Sequence, residues 1–251
     1  MPGPTSDDHS DAPLSRRERQ RLELREEAVR TARELLAAGG PENLTLSAVA
    51  RAVGVTPPAL YRHFEGGREG VVRAVYHLLV EEFSSTVEQA AARYESHGVS
   101  AQIHAGCRAV LDWSLANRPE FDLVMGAQFA RISTSGGAIP VALAERLGGV
   151  FAALFDRLVR EHGLIPPAET DITPALLPQI VVYGRSVCPD QPVGVAYLMF
   201  TCWRQVYGVV CMAANRHLDF AYHEYDAVFE DLMDRILRLL GLTRSPIFGA
   251  G

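Results

Sequence analysis

Gly54-Val55-Thr56-Pro57-Pro58-Ala59-Leu60-Tyr61-Arg62-His63-Phe64 decides the reading of this chain. Gly54 supplies a sharp turn, where a positive φ is expected. Thr56 stands where a helix N-cap belongs, and Pro57 follows at the first helical position, where a missing N–H costs nothing. The spacing predicts about two turns of helix. Leu60 and Phe64, four residues apart, face inward. Tyr61, Arg62 and His63 gather near its end. A glycine turn leading into a short helix of this kind is the second half of a helix-turn-helix, so DNA is the first expected partner.

Working outward, Thr45 caps a helix over 45–52 that turns Leu46, Val49 and Ala50 inward. Before it, a helix over 15–38 carries the apolar stripe Ala28, Val29, Ala32, Leu35 and Leu36, and Gly39-Gly40-Pro41 stops it. After it, a long helix over 68–94 keeps Val72, Val75, Leu79 and Val87 on one face. Further helices are expected near 100–117, 119–132, 140–162, 193–216 and 223–240. Residues 163–192 carry six prolines and read as irregular, with one short helix after Thr173-Pro174. Strand alternation is nowhere convincing, so the fold class is all-α. The expected domains are a helix-turn-helix head over 15–75 and a helical body over 76–242. The boundary falls inside the long helix, near residues 73–80. Residues 1–14 read as a disordered tail and 243–251 as a flexible one.

The chain has 251 residues and a net charge of −6, which looks wrong for a DNA binder until it is divided. Residues 16–73 hold 11 Arg against 8 Glu, a net +3, while the remainder carries −9. A small basic module on an acidic body fits that asymmetry. There is no lysine anywhere. No run approaches the roughly 20 apolar residues that span a bilayer. The start has no apolar stretch of a signal peptide, so a cytoplasmic location is expected. Cys107, Cys188, Cys202 and Cys211 show no CxxC pairing and read as small buried hydrophobes.

Within the head, phosphate contacts call for hydroxyls, ring N–H groups and helix N-termini. Thr45, Thr56, Tyr61 and His63 supply them. Base readout calls for side chains at the exposed front of the third helix and late in the second. Ser47, Pro57, Pro58 and Arg62 are the candidates, with Arg62 open to either a bidentate guanine contact or a phosphate contact. Arg16 and Arg17, with Arg19 and Arg21, form a basic run just ahead of the first helix that follows the backbone or enters the minor groove.

Leu44-Thr45-Leu46-Ser47-Ala48-Val49-Ala50-Arg51-Ala52-Val53-Gly54-Val55-Thr56, followed by Leu60-Tyr61-Arg62-His63-Phe64, resembles the head of TetR-family transcriptional regulators. The resemblance covers residues 16–75. Cys202-Trp203-Arg204-Gln205-Val206-Tyr207-Gly208 is similar to a Trp/His/Gly-type ligand domain found in some of these regulators, with Tyr207 standing where a His is expected. The family implies an all-helical homodimer in which each subunit has a three-helix DNA head and a body that binds a small molecule. Two positions depart from its pattern. Gly67 replaces the lysine that usually opens the fourth helix, so its phosphate contact is lost or passes to Arg68. Gly70 stands where leucine is usual, so that helix starts later or loosely.

For the body, an effector chamber lined by side chains of facing helices is expected. Tyr76, Phe83, His104, Cys107 and Trp113 are candidates from its first half. Met125, Phe129, Phe151, Trp203 and Tyr207 are candidates from the rest. The last two helices are apolar almost all round, which implies burial on both sides and a homodimer face. The function expected is a ligand-responsive regulator, a repressor released from pseudo-palindromic double-stranded operator DNA by a small apolar or aromatic molecule. One alternative is a DNA-binding dimer without a ligand. Another is an enzyme using His104 and Cys107, although HExxH, GxSxG and phosphate-cradling loops are missing from the sequence. No cofactor, metal or membrane partner is expected.

Overall fold

The computed structural model describes residues 15–40, 43–126, 139–221 and 224–249. Among the described residues ten α-helices follow one another and no strand occurs. α1 (Arg16–Gly39), α2 (Leu46–Ala52) and α3 (Pro57–Tyr61) form the head. α4 (Arg68–Ala92), α5 (Val99–Ala116), α6 (Arg118–Val124), α7 (Ile139–His162), α8 (Leu177–Val187), α9 (Val193–Ala214) and α10 (Asp226–Leu239) complete the chain.

α1 begins with a capping box. The Ser15 hydroxyl accepts from the Glu18 N–H while the Glu18 carboxylate accepts from the Ser15 N–H. It ends at Gly40, whose φ of 73° turns the chain away. Ala28, Ala32 and Leu36, at helical spacing, are wholly buried against the rest of the head. α4 packs against α1, α5, α6 and α7, so one continuous helix belongs to both head and body. Its face of Val75, Tyr76, Leu79, Phe83 and Val87 is fully buried. Each such side chain contributes about 1.5–3 kcal/mol through burial.

Around α4 the body is layered, with α5 against α4 and α7, and α9 against α5, α7, α8 and α10. α9 buries most of its circumference inside the subunit, because neighbours cover it on several sides. In the 119–132 region the helix Arg118–Val124 is described, and residues 127–138 lie outside the described set.

Residues 243–249, expected to be a flexible tail, fold back onto the body instead. Arg244 pairs with Glu230 at 3.0 Å and Asp234 at 2.7 Å, and the Ser100 hydroxyl donates to the Thr243 carbonyl at 2.6 Å. Phe248, in a short 3₁₀ turn, stacks on His104 with ring centroids 4.0 Å apart. A single arginine clamp and one aromatic ring were too small a signal against the polar composition around them.

Candidate DNA interface and effector cavity

The helix-turn-helix is built by local chemistry. The Thr45 hydroxyl accepts from the Ala48 N–H at 3.1 Å and caps α2. α2 ends with Gly54 at φ 72° and a bond from the Val55 N–H to the Ala50 carbonyl, 2.9 Å. This is a Schellman closure, and it needs a residue that tolerates the left-handed region. Thr56 occupies the N-cap of α3, but its side chain makes no capping bond. The prolines explain this. Pro58 has no N–H to give, and the Ala59 N–H already bonds to the Thr56 carbonyl at 2.9 Å. The Thr56 hydroxyl is left exposed.

α3 is shorter than two turns. The Arg62 and His63 N–H groups bond back three residues, to the Ala59 and Leu60 carbonyls, which tightens and ends the helix. Leu60 and Phe64 are buried, while Ser47, Pro57, Pro58, Tyr61 and Arg62 are exposed. Arg16, Arg17, Arg19 and Arg21 lie within the first turns of α1, not ahead of it as an extended arm. Arg21 reaches the Arg62 carbonyl at 3.5 Å, and the Arg25 guanidinium lies over the Phe64 ring. His63 is enclosed by this arrangement. Burial lowers its pKa, and Arg21, Arg62 and Arg25 lower it further. Its Nδ1 has no hydrogen-bond partner among the described residues.

Both glycine departures have a local cause. Gly66 and Gly67 take left-handed φ values of 79° and 61°. The Tyr61 ring packs beside Gly67, where an added Cβ would lie 2.7 Å from Tyr61 Cε1. At Gly70 an added Cβ would lie 2.2 Å from the Glu65 carbonyl oxygen. The connection from α3 to α4 is therefore too tight for the side chains usual at these two positions. α4 nevertheless starts at Arg68, neither late nor loose. The Arg68 Nε donates to the Leu44 carbonyl at 2.8 Å, so this side chain ties α4 to the start of α2.

At the junction of head and body, carboxylates from two helices converge on one head residue, and a third helix supports one of them. Arg33 of α1 forks onto both carboxylate oxygens of Glu82 of α4, with its Nη2 2.9 Å from Oε1. Its Nε is 3.5 Å from Glu120 of α6, a carboxylate that is only 7% exposed. The Trp113 indole of α5 donates to Glu82 at 3.3 Å.

The body holds a cavity of about 340 Å³, within the range of small-molecule sites. Of the expected lining residues it brings together Cys107, Met125, Phe151, Trp203 and Tyr207. Four others lie elsewhere. Tyr76 and Phe83 are wholly buried core residues of α4. Trp113 stacks on Phe83, with centroids 4.6 Å apart, and serves the Arg33 cluster. His104 lies 3.3 Å from Glu230 beneath Phe248. Phe129 lies outside the described residues. His104 and Cys107 thus look to different surroundings, His104 to Glu230 and Phe248 and Cys107 to the cavity. Burial raises the Cys107 thiol and pushes the Cys202 thiol up to about 12, so neither is a ready nucleophile.

The walls also include Leu143, Leu147 and Phe155 of α7, Tyr183 and Val187 of α8, and Ile236 and Leu240 at the end of α10. Sequence reasoning missed these because an aliphatic residue facing a cavity has the same helical spacing as one facing a neighbouring side chain. The Tyr207 hydroxyl donates to the Met125 carbonyl at 2.5 Å and joins α9 to the C-terminal end of α6.

A helix-turn-helix head continuous with a helical body defines a DNA-binding regulator of transcription. The chain matches the bacterial regulatory proteins of the tetR family over residues 28–75, and the tetracyclin repressor-like C-terminal domain over residues 103–236. It belongs to the TetR family. No curated protein matches it. Among solved structures, SCO4313 is similar with a TM-score of 0.66 and 20% identity, over 89% of this chain and 100% of that one. A protein of unknown function from Rhodococcus sp. RHA1 has a TM-score of 0.57 and 20% identity, over 96% of this chain and 100% of that one. At such identities the likeness concerns the fold. Among the described residues no helix is long and apolar enough to cross a membrane.

Proposed function

We propose that this protein is a homodimeric repressor that leaves its operator when a small apolar or aromatic molecule enters the body cavity. The observation that carries this reading is the placement of α6. Val124 and Met125 at one end line the cavity, and Glu120 near the other pairs with Arg33 of the head. Seven residues make α6 about 10 Å long. A molecule pressing on one end therefore acts on the head through the other, and by linkage operator DNA weakens effector binding by the same factor.

In this reading Thr45, Thr56, Tyr61 and His63 hold phosphates, with Arg16 and Arg17 extending the charged track. Ser47, Pro57, Pro58 and Arg62 face the bases. Because Arg68 is engaged with Leu44, it anchors the head in the first place and reaches DNA only from that position. The dimer forms through α9 and α10, where Leu239 is 46% exposed and Phe200 half-buried.

DNA selected from a random pool by the full-length chain should be a pseudo-palindrome, with half-sites about 34–36 Å apart or a multiple of that. On this DNA, Arg62→Ala should lose about 1–3 kcal/mol of discrimination at one base pair. Equal losses on selected and random DNA would reassign Arg62 to phosphate. Selection that recovers no sequence preference would end the operator reading altogether.

His63 adds a dependence on pH with two opposite signs. Its lowered pKa in the free protein means that the unfolded chain takes up its proton first. Its share of stability is therefore full above about pH 6.5 and is lost as pH falls through the lowered folded value. A DNA phosphate beside the ring favours the protonated form, so operator affinity should rise as pH falls from about 7.5 to 6. Fluorescence anisotropy at constant ionic strength measures this, and His63→Gln should flatten the slope. An unchanged slope in that variant would remove His63 from the phosphate contacts.

A further inference from the structure

We infer that the cavity selects an electrically neutral, largely hydrocarbon molecule bearing a hydrogen-bond acceptor, which the Trp203 indole N–H engages, and that it rejects the same skeleton carrying a permanent charge. This rests on reading the cavity as the effector site, and it names the chemistry that site admits.

The first support is the wall itself. None of the described lining residues is Asp, Glu, Arg or His. The ionisable groups that do line it stay neutral near pH 7. Burial pushes Tyr183 and Cys202 each up to about 12, and raises Tyr207 and Cys107 as well. The charged neighbours of these residues are spent elsewhere. Arg108, next to Cys107, pairs with Asp112 and Asp226, and Arg204, next to Trp203, lies over the Phe200 ring, its pull on the Cys202 thiol outweighed by burial. A charge brought into such a space leaves water and meets no counter-ion, which is strongly unfavourable.

The second support is the small set of polar atoms that remain. The Tyr207 hydroxyl is already given to the Met125 carbonyl. Trp203 and Tyr183 line the cavity, and neither side chain has a hydrogen-bond partner among the described residues. An indole N–H can only donate. A ligand that leaves it unmet forfeits a bond that water would otherwise supply, so an acceptor such as a carbonyl or ether oxygen is preferred. A cation could draw on ring faces, but Trp203 and Tyr207 stack on each other with centroids 5.7 Å apart, which covers one face of each.

The test uses probes, not the natural effector. N-Phenyl-1-naphthylamine is neutral, and 1-anilinonaphthalene-8-sulfonate is the same skeleton with a sulfonate. Fluorescence titration of the full-length protein should show the neutral probe bound at least about a hundredfold more tightly. A cationic styrylpyridinium dye of similar size should also bind more weakly. Ala144→Trp, which fills the cavity from α7, should abolish binding of the neutral probe and thereby locate it. Competition against that probe then compares 2-acetylnaphthalene with 2-isopropylnaphthalene. Trp203→Phe should weaken the ketone about fivefold relative to the hydrocarbon.

Anionic or cationic probes binding as tightly as the neutral one would overturn the inference, as would a neutral probe that fails to bind at its solubility limit. An unchanged ketone preference in Trp203→Phe would overturn the acceptor assignment. All these readouts are independent of DNA. A cavity that discriminates as stated while no cavity ligand ever alters operator binding would sink the regulatory reading and leave this one standing.

Discussion

Arg33→Met is expected to destabilise the fold and to disconnect operator binding from effector binding. Arg33 is the head residue on which Glu82 and Glu120 converge. Without it, Glu120 remains buried and uncompensated, and breaking a buried pair from one side costs about 3–5 kcal/mol. The companion change Glu120→Gln removes the stranded charge. The double variant should therefore recover most of the stability, as a denaturant titration would show, while α6 no longer grips the head. Coupling in allosteric proteins is typically about 1–3 kcal/mol, or roughly 5–150-fold in affinity. In the double variant the ratio of operator affinities with and without a ligand that releases the wild-type protein should approach one. A stable double variant that keeps the full ratio would move the coupling route away from Arg33. The double-mutant cycle also separates the pair from the rest of the cluster, because each single change leaves a different partner unsatisfied.

The second large effect is at Gly70, where helix propensity and local space point in opposite directions. Inside a helix, glycine to alanine normally stabilises by about 1 kcal/mol. Here the new Cβ would sit 2.2 Å from the Glu65 carbonyl oxygen and 3.2 Å from the Phe64 carbonyl carbon. These are backbone atoms of the turn that positions Tyr61 and His63, and they cannot rotate aside as a side chain can. Gly70→Ala should destabilise by about 1–3 kcal/mol. It should also cost the head operator affinity while leaving probe binding in the body intact. Calorimetry decides the sign, and a rise in the melting temperature would show that the turn relaxes freely.

The sequence exposed the head more fully than the body, for a physical reason. Gly54, Thr45, Leu60 and Phe64 act through local geometry, and local geometry is written in neighbouring residues. The α2–α3 closure and the buried pair therefore follow from spacing alone. The helix order of the body also follows from period and breakers, although the helix expected over 119–132 ends at Val124 and residues 127–132 lie outside the described set. The cavity does not follow in this way. Phe83 and Phe151 are both aromatic residues on long amphipathic helices, yet Phe83 fills the core and Phe151 faces open space. That difference depends on how α5, α7, α8 and α9 are spaced, which no single helix specifies. The ion pairs of Arg33 were likewise hidden, since 49 residues separate it from Glu82. The threonine at 56 shows the converse case. Its capping position was legible, but Pro58 has no N–H to offer a cap and the Ala59 N–H is taken by the Thr56 carbonyl.

The shared Arg33 contact has a consequence for protein engineering. Regulators with a separable head invite the construction of hybrids, in which one DNA specificity is grafted onto another sensing body. Here the seam does not run between two independent modules. α4 is continuous across it, and α1, packed on α4 and α6, is ion-paired to both through one guanidinium. A foreign head must bring an arginine to that spot, or the body must be given an uncharged residue in place of Glu120. A graft that satisfied the cut site but not this charge should still bind its DNA and should lack the coupling to the body proposed above.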